Sequence, residues 1–148
     1  KMPFHLAVFD ADAAEAIMEQ EVSVQDWYLA GHSLGGVMAS SFAADQTDRV
    51  DGLIFLASYP SNDLTDAPFP VLSIYGSEDE VLNRESYDEA QAKLPDDYTE
   101  IVLDGGNHGQ FGDYGPQEGD GTASFSADQQ QQQTVEAITA FIGNSHQQ

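Results

Sequence analysis

The stretch Gly31-His32-Ser33-Leu34-Gly35-Gly36 decides how the rest of the chain is read. It matches the pattern G-x-S-x-G. The apolar run Asp26-Trp27-Tyr28-Leu29-Ala30 leads into it, and Leu34, Val37, Met38 and Phe42 lead out at spacings of three and four. The run has the character of a strand, and the spacing makes one face of a helix. A sharp strand-to-helix turn between them lifts the Ser33 hydroxyl clear of the sheet. Gly31 and Gly35 are expected to remove Cβ atoms that would collide in that turn. The backbone N–H of Leu34 then stands at a helix N-terminus, where the helix dipole helps it donate to an oxyanion. Alone, the hexapeptide also fits a plain turn; the flanking strand and helix patterns favour the catalytic elbow.

Further strands follow. Gly52-Leu-Ile-Phe-Leu-Ala57, Pro70-Val-Leu-Ser-Ile-Tyr-Gly76 and Thr99-Glu-Ile-Val-Leu103 have strand length and are mostly apolar. Such runs suit strands covered on both faces, as in a parallel sheet. Helical patterns lie between them. Asp12 is placed to cap a helix through Ala14, Ile17 and Met18. Tyr87, Ala90 and Leu94 share a face that Pro95 ends. Ser126 and Gln129 form an S-x-x-Q capping box, opening a helix expected to bury Val135, Ile138 and Ile142 and to stop at Gly143. The glutamine run 129–133 is expected on the solvated face of that helix. The alternation predicts an α/β fold, a mostly parallel sheet with flanking helices, in one domain over residues 1–148. Segment 58–69 is irregular and too short to hold a folded lid. Segment 105–122 carries seven glycines and no periodicity, and long glycine-rich loops in compact domains are often functional.

Composition excludes several functions. Among 148 residues, 26 are acidic and 4 basic, for a net charge of -22. Phosphate-binding surfaces need the opposite sign, so a nucleic-acid partner is excluded, and docking on anionic lipid is disfavoured. No apolar run is long enough to cross a bilayer, and residues 1–10 show no signal-peptide pattern. With no cysteine, disulfides, thiolate metal sites and cysteine nucleophiles are excluded. The composition resembles that of proteins from salt-accumulating halophiles; it leaves the location open, a potassium-rich cytoplasm being favoured over a hypersaline exterior.

The downstream residues extend the site. Gly76-Ser77-Glu78-Asp79 follows one strand with the pattern G-x-x-D, and Asp104-Gly105-Gly106-Asn107-His108-Gly109 follows the next. In the order Ser, then acid, then His, the chain resembles the α/β-hydrolase family of the nucleophile-elbow type. That resemblance implies Ser33 as nucleophile, His108 as general base and Asp79 as the acid that orients it, with the Leu34 N–H as an oxyanion donor. Glu78, Glu80 and Asp104 are the competing carboxylates. His32 is expected to pack, not to act as a second base; His5 and His146 are expected to be structural or unstructured. Scattered histidines and the lack of a G-x-G-x-x-G turn imply no metal and no nucleotide cofactor.

The implied activity is that of a carboxylesterase-like serine hydrolase, acting on small acyl substrates through an acyl-enzyme. The alternative is a non-catalytic binding module on the same fold. The family also has strands before the elbow strand and a loop supplying a second oxyanion donor. Here the elbow strand begins at Asp26, so those parts are expected to be missing and residues 26–30 to present an open strand edge. A homo-oligomer or a companion N-terminal fragment is expected to cover it.

Overall fold

The structure, a computed structural model, describes residues 13–145. In chain order the elements are α1 (Ala13–Gln20), β1 (Tyr28–His32), α2 (Leu34–Asp45), β2 (Gly52–Leu56), β3 (Val71–Gly76), α3 (Arg84–Ala90), β4 (Tyr98–Leu103) and α4 (Ala127–Ser145). Single 3-10 turns occupy Gln91–Lys93 and Gly109–Phe111. Asp12, His5 and His146 lie outside the described residues.

The four strands lie in sequence order, β1-β2-β3-β4, and every neighbouring pair is parallel. Alternate residues of the central strands feed opposite layers. On one face Leu53, Phe55 and Val71 pack with Met18 of α1 and Phe42 and Ala43 of α2. On the other, Ile54, Leu72 and Ile74 pack with Ile138 and Phe141 of α4. This two-sided burial is why β2 and β3 read as nearly unbroken apolar runs, Ser73 being the polar exception. The end strands differ: β1 is only half-covered, and Thr99, Glu100 and Val102 of β4 are exposed, so coverage on both faces holds for β2 and β3 alone. Beside β3 and β4 a polar chain runs from buried Ser73 and Tyr87 out to exposed Glu100. The Tyr87 hydroxyl sits 2.9 Å from Ser73 Oγ and donates to Glu100 Oε2 at 2.6 Å.

Two helices present faces other than those the spacing suggested. The buried residues of α2 are Gly36, Ser40, Phe42 and Ala43, while Leu34 is 46% exposed and Val37 and Met38 are half-buried. Small residues let the helix lie close to the sheet. A Cβ on Gly36 would stand 2.5 Å from Ser58 Oγ and 2.8 Å from the Gly31 carbonyl. In α4 the capping box forms: the Gln129 N–H donates to Ser126 Oγ at 3.3 Å, and the Ser126 N–H to Gln129 Oε1 at 3.1 Å. Val135, however, is 61% exposed. The inward line runs through Gln130 and Thr134 to Ala137, Ile138 and Phe141, about one residue out of phase with the expected one. Polar side chains occupy it because their partners are built in: Thr134 Oγ1 donates to the Gln130 carbonyl at 2.8 Å, and the Gln130 amide is held by the backbone of Asn107. Gln130 is therefore buried, not solvated. The helix also runs through Gly143 to Ser145; a mid-helix glycine costs only about 1 kcal/mol. Among the described residues no helix is long and apolar enough to cross a membrane.

Candidate active site

At the carboxyl end of β1 the chain turns into α2 at Ser33, with φ 53° and ψ -125°. A serine at a helix N-cap ordinarily gives its oxygen to the N–H two or three residues on. Ser33 makes no such side-chain cap, so its hydroxyl is not committed to the helix. Left-handed backbone at a non-glycine residue is strained and must be held by its surroundings. The Ser33 N–H donates to the Leu56 carbonyl at 3.0 Å, and the Ser33 carbonyl accepts from Ser58 Oγ at 2.7 Å and the Gly36 N–H at 3.0 Å. The glycine requirement is real at Gly31, whose Cβ would stand 2.4 Å from the Gly35 backbone. Gly35 does not need to be glycine for space, since its own Cβ would meet nothing within 4 Å. Gly36 is the second residue that the close packing requires. A second strained residue, Ala57 with φ 48°, ends β2 beside the elbow.

Asp79 lies in the turn after β3. Its Oδ1 accepts from the Val81 and Leu82 N–H groups at 2.9 and 2.8 Å, which fixes the carboxylate. Its Oδ2 is 2.8 Å from His108 Nδ1, and both side chains are buried. With a carboxylate as acceptor, Nδ1 carries the proton and Nε2 is the basic nitrogen. His108 Nε2 is buried and has no hydrogen-bond partner among the described residues, so the Ser33 hydroxyl is not bonded to it here. Ser33 and His108 do line one cavity of about 220 Å³, together with Leu34, Val37, Ala57 and Leu82. Leu34 is the first residue of α2, where N–H groups lack intrahelical acceptors. Of the competing carboxylates, Glu78, Glu80 and Asp104 are all exposed; Asp79 alone of the four is buried against the imidazole.

His108 sits in the glycine-rich segment, and two side chains that the sequence did not single out hold its turn. Asp120 accepts from the His108 N–H at 3.2 Å and the Gly109 N–H at 2.7 Å. Gln130 brackets Asn107, accepting from its N–H at 3.1 Å and donating to its carbonyl at 2.8 Å. Nothing local marks Asp120 among 26 acidic residues, and Gln130 is hidden in a run of like residues. His32 packs its ring on His108, with centroids 4.7 Å apart, and meets Phe111 and Tyr114 at 5.9 and 6.0 Å. Burial, with the electrostatic influence of neighbouring His108, holds His32 below its ordinary pKa against the opposing pull of the His108 backbone, Asp79 and Asp120. Among the described residues no group of three or more His, Asp or Glu side chains is placed to hold a metal ion.

A parallel sheet with a strained serine turn and an Asp–His pair at its carboxyl rim defines an α/β hydrolase fold. The chain belongs to the alpha/beta hydrolase family, whose model matches residues 1–132. Solved structures share the architecture at low identity. A predicted CIB-like hydrolase of Thermoplasma acidophilum is 20% identical with TM-score 0.58, the match covering 73% of this chain and 53% of that one. An alpha-beta serine hydrolase homologue of Coxiella burnetii is 24% identical with TM-score 0.56, over 73% and 54%. Est1E of Butyrivibrio proteoclasticus is 16% identical with TM-score 0.67, over 97% and 72%. The chain thus spans little more than half the length of the first two. No curated protein sequence matches it.

Proposed function

We propose that this hydrolase cleaves esters or related acyl compounds, as a carboxylesterase does, with Ser33 as nucleophile, His108 as base and Asp79 orienting the imidazole. The observation that carries the reading is the Asp79–His108 pair at 2.8 Å, with the other imidazole nitrogen buried and without a partner among the described residues, and with His108 and Ser33 lining one cavity. Catalytic hydrogen bonds are often long in unliganded sites and tighten when substrate binds.

In the first step Ser33 Oγ bonds to the acyl carbon and its proton passes to His108 Nε2. The C–O bond to the leaving group then breaks, and the alcohol departs with that proton. In the second step water attacks the acyl-serine, gives its proton to Nε2, and the carboxylic acid leaves as Ser33 recovers the proton. The Leu34 N–H donates to the oxyanion in both steps. The lining of Leu34, Val37, Ala57 and Leu82 suits a small uncharged acyl group. The net charge of -22 suits work at molar salt, as in a salt-accumulating cytoplasm.

The test is hydrolysis of p-nitrophenyl acetate in molar KCl by the parent chain and by Ser33→Ala. Turnover that falls to the buffer rate in the variant is expected. Turnover unchanged by the substitution refutes Ser33 as nucleophile, and none in a folded parent favours a binding module instead.

A further inference from the structure

The segment that carries His108 leaves the sheet at β4 and returns through Gly119-Asp120-Gly121 to enter α4. Three donors converge on the Asp120 carboxylate. Oδ1 accepts from the His108 N–H at 3.2 Å and the Gly121 N–H at 2.9 Å, and Oδ2 accepts from the Gly109 N–H at 2.7 Å. The returning segment is tied back a second time, by Asn107 Nδ2 donating to the Gly121 carbonyl at 2.9 Å. Gly121 in turn lies directly against the acid turn: a Cβ there would stand 2.0 Å from the Glu78 carbonyl, one residue before Asp79. Asp120 and Gly121 are therefore wedged between the turn that holds the acid and the turn that holds the base.

We propose that Asp120 is a positioning residue for the hydrolytic reaction, clasping the His108 turn to the Asp79 turn so that the imidazole keeps its aim on Ser33. The inference rests on the functional reading above. Asp120 touches neither ring nitrogen of His108 and acts through the backbone. Its carboxylate fixes the peptide on both sides of the His108 Cα, and with it the direction in which the side chain leaves the loop. Misplacing a reacting group by about 1 Å costs on the order of a hundredfold in rate. Asp120→Ala removes both acceptor oxygens and with them all three hydrogen bonds. Asp120→Asn keeps one oxygen for two of the donors and turns an NH2 group on the third, so it is the milder change.

The experiment measures the second-order rate of Ser33 phosphonylation by a fluorophosphonate, in which Oγ bonds to phosphorus and fluoride leaves. Parent, Asp120→Asn and Asp120→Ala are compared in molar KCl, and the folded fraction of each is fixed by circular dichroism. KM and kcat for p-nitrophenyl acetate are measured alongside. The expected result is a rate per folded molecule lower by about tenfold in Asp120→Asn and about a hundredfold in Asp120→Ala, with the loss in kcat and KM within twofold. A low-field proton signal from His108 Nδ1–H should broaden or move in both variants. Equal phosphonylation rates per folded molecule overturn the proposal and leave the functional reading standing, as does a loss confined to stability. A folded parent that the reagent does not label overturns both.

Discussion

Asp79→Asn separates geometry from protonation at this site. In the parent, Oδ1 holds the Val81 and Leu82 N–H groups at 2.9 and 2.8 Å, and Oδ2 faces His108 Nδ1 at 2.8 Å. An asparagine can satisfy the two backbone donors only by keeping its oxygen on them. Flipping the amide would leave those N–H groups facing an NH2, at about 1–3 kcal/mol each. The amide nitrogen is thus forced toward His108, where it donates to Nδ1. The imidazole proton moves to Nε2, and the nitrogen required to take a proton from Ser33 is blocked. The expected loss in kcat is about 10⁴-fold, the size that the same substitution causes in other Ser-His-Asp enzymes. At 1.36 kcal/mol per tenfold that is about 5 kcal/mol of transition-state stabilisation. Release of p-nitrophenolate from p-nitrophenyl acetate gives kcat, and a urea titration of the same preparations gives stability. A folded Asp79→Asn variant within tenfold of the parent refutes the reasoning, because the tautomer would then not control the base.

Other predictions follow from the same structure. Gln130→Leu leaves the Asn107 N–H and carbonyl without their buried partner, which should destabilise the fold by about 1–3 kcal/mol in urea titrations; an unchanged midpoint would show the bracket is dispensable. His32 has a folded-state pKa below its ordinary 6.5, so the unfolded chain binds more protons than the folded one between the two values. Its contribution is retained above pH 6.5 and lost as the pH falls through that window, and His32→Phe should flatten this part of the acid stability curve. Dialysis from molar to millimolar KCl should loosen the fold, since the net charge of -22 loses its screening; circular dichroism that does not change would contradict this. Among the described residues β1 stands at one end of the strand order, and we propose that a second copy of the chain covers it. Light scattering from a monodisperse 16.0 kDa species would argue against any such partner.

The sequence was most legible where one residue type has one use. Nearly unbroken apolar runs placed β2 and β3, because a strand buried on both faces leaves few polar positions to confuse it. Gly31 marked the elbow through a clash that any side chain would make. Asp79 and His108 came from their order along the chain, and the structure brings these two side chains together. The misses have a common physical origin in partners remote in sequence. Gln130 is inward because Asn107, 23 residues earlier, supplies both of its side-chain hydrogen bonds, and Val135 is outward as a consequence of that phase. In α2 the sheet selects small residues, so the large apolar ones that defined the expected face turn partly toward the cavity, where Leu34 and Val37 line the site. Asp120 is indistinguishable by type from any solvated carboxylate until the loop is closed around it.

The central claim is that the hydroxyl of Ser33 is made nucleophilic by His108. It is tested most directly by treating the folded chain with a fluorophosphonate in molar KCl and locating the adduct by peptide mass spectrometry. The account predicts one adduct, on Ser33, absent in Ser33→Ala and formed at least a thousandfold more slowly in His108→Ala. An adduct elsewhere, no adduct at all, or labelling of Ser33 at the same rate without His108 would contradict it.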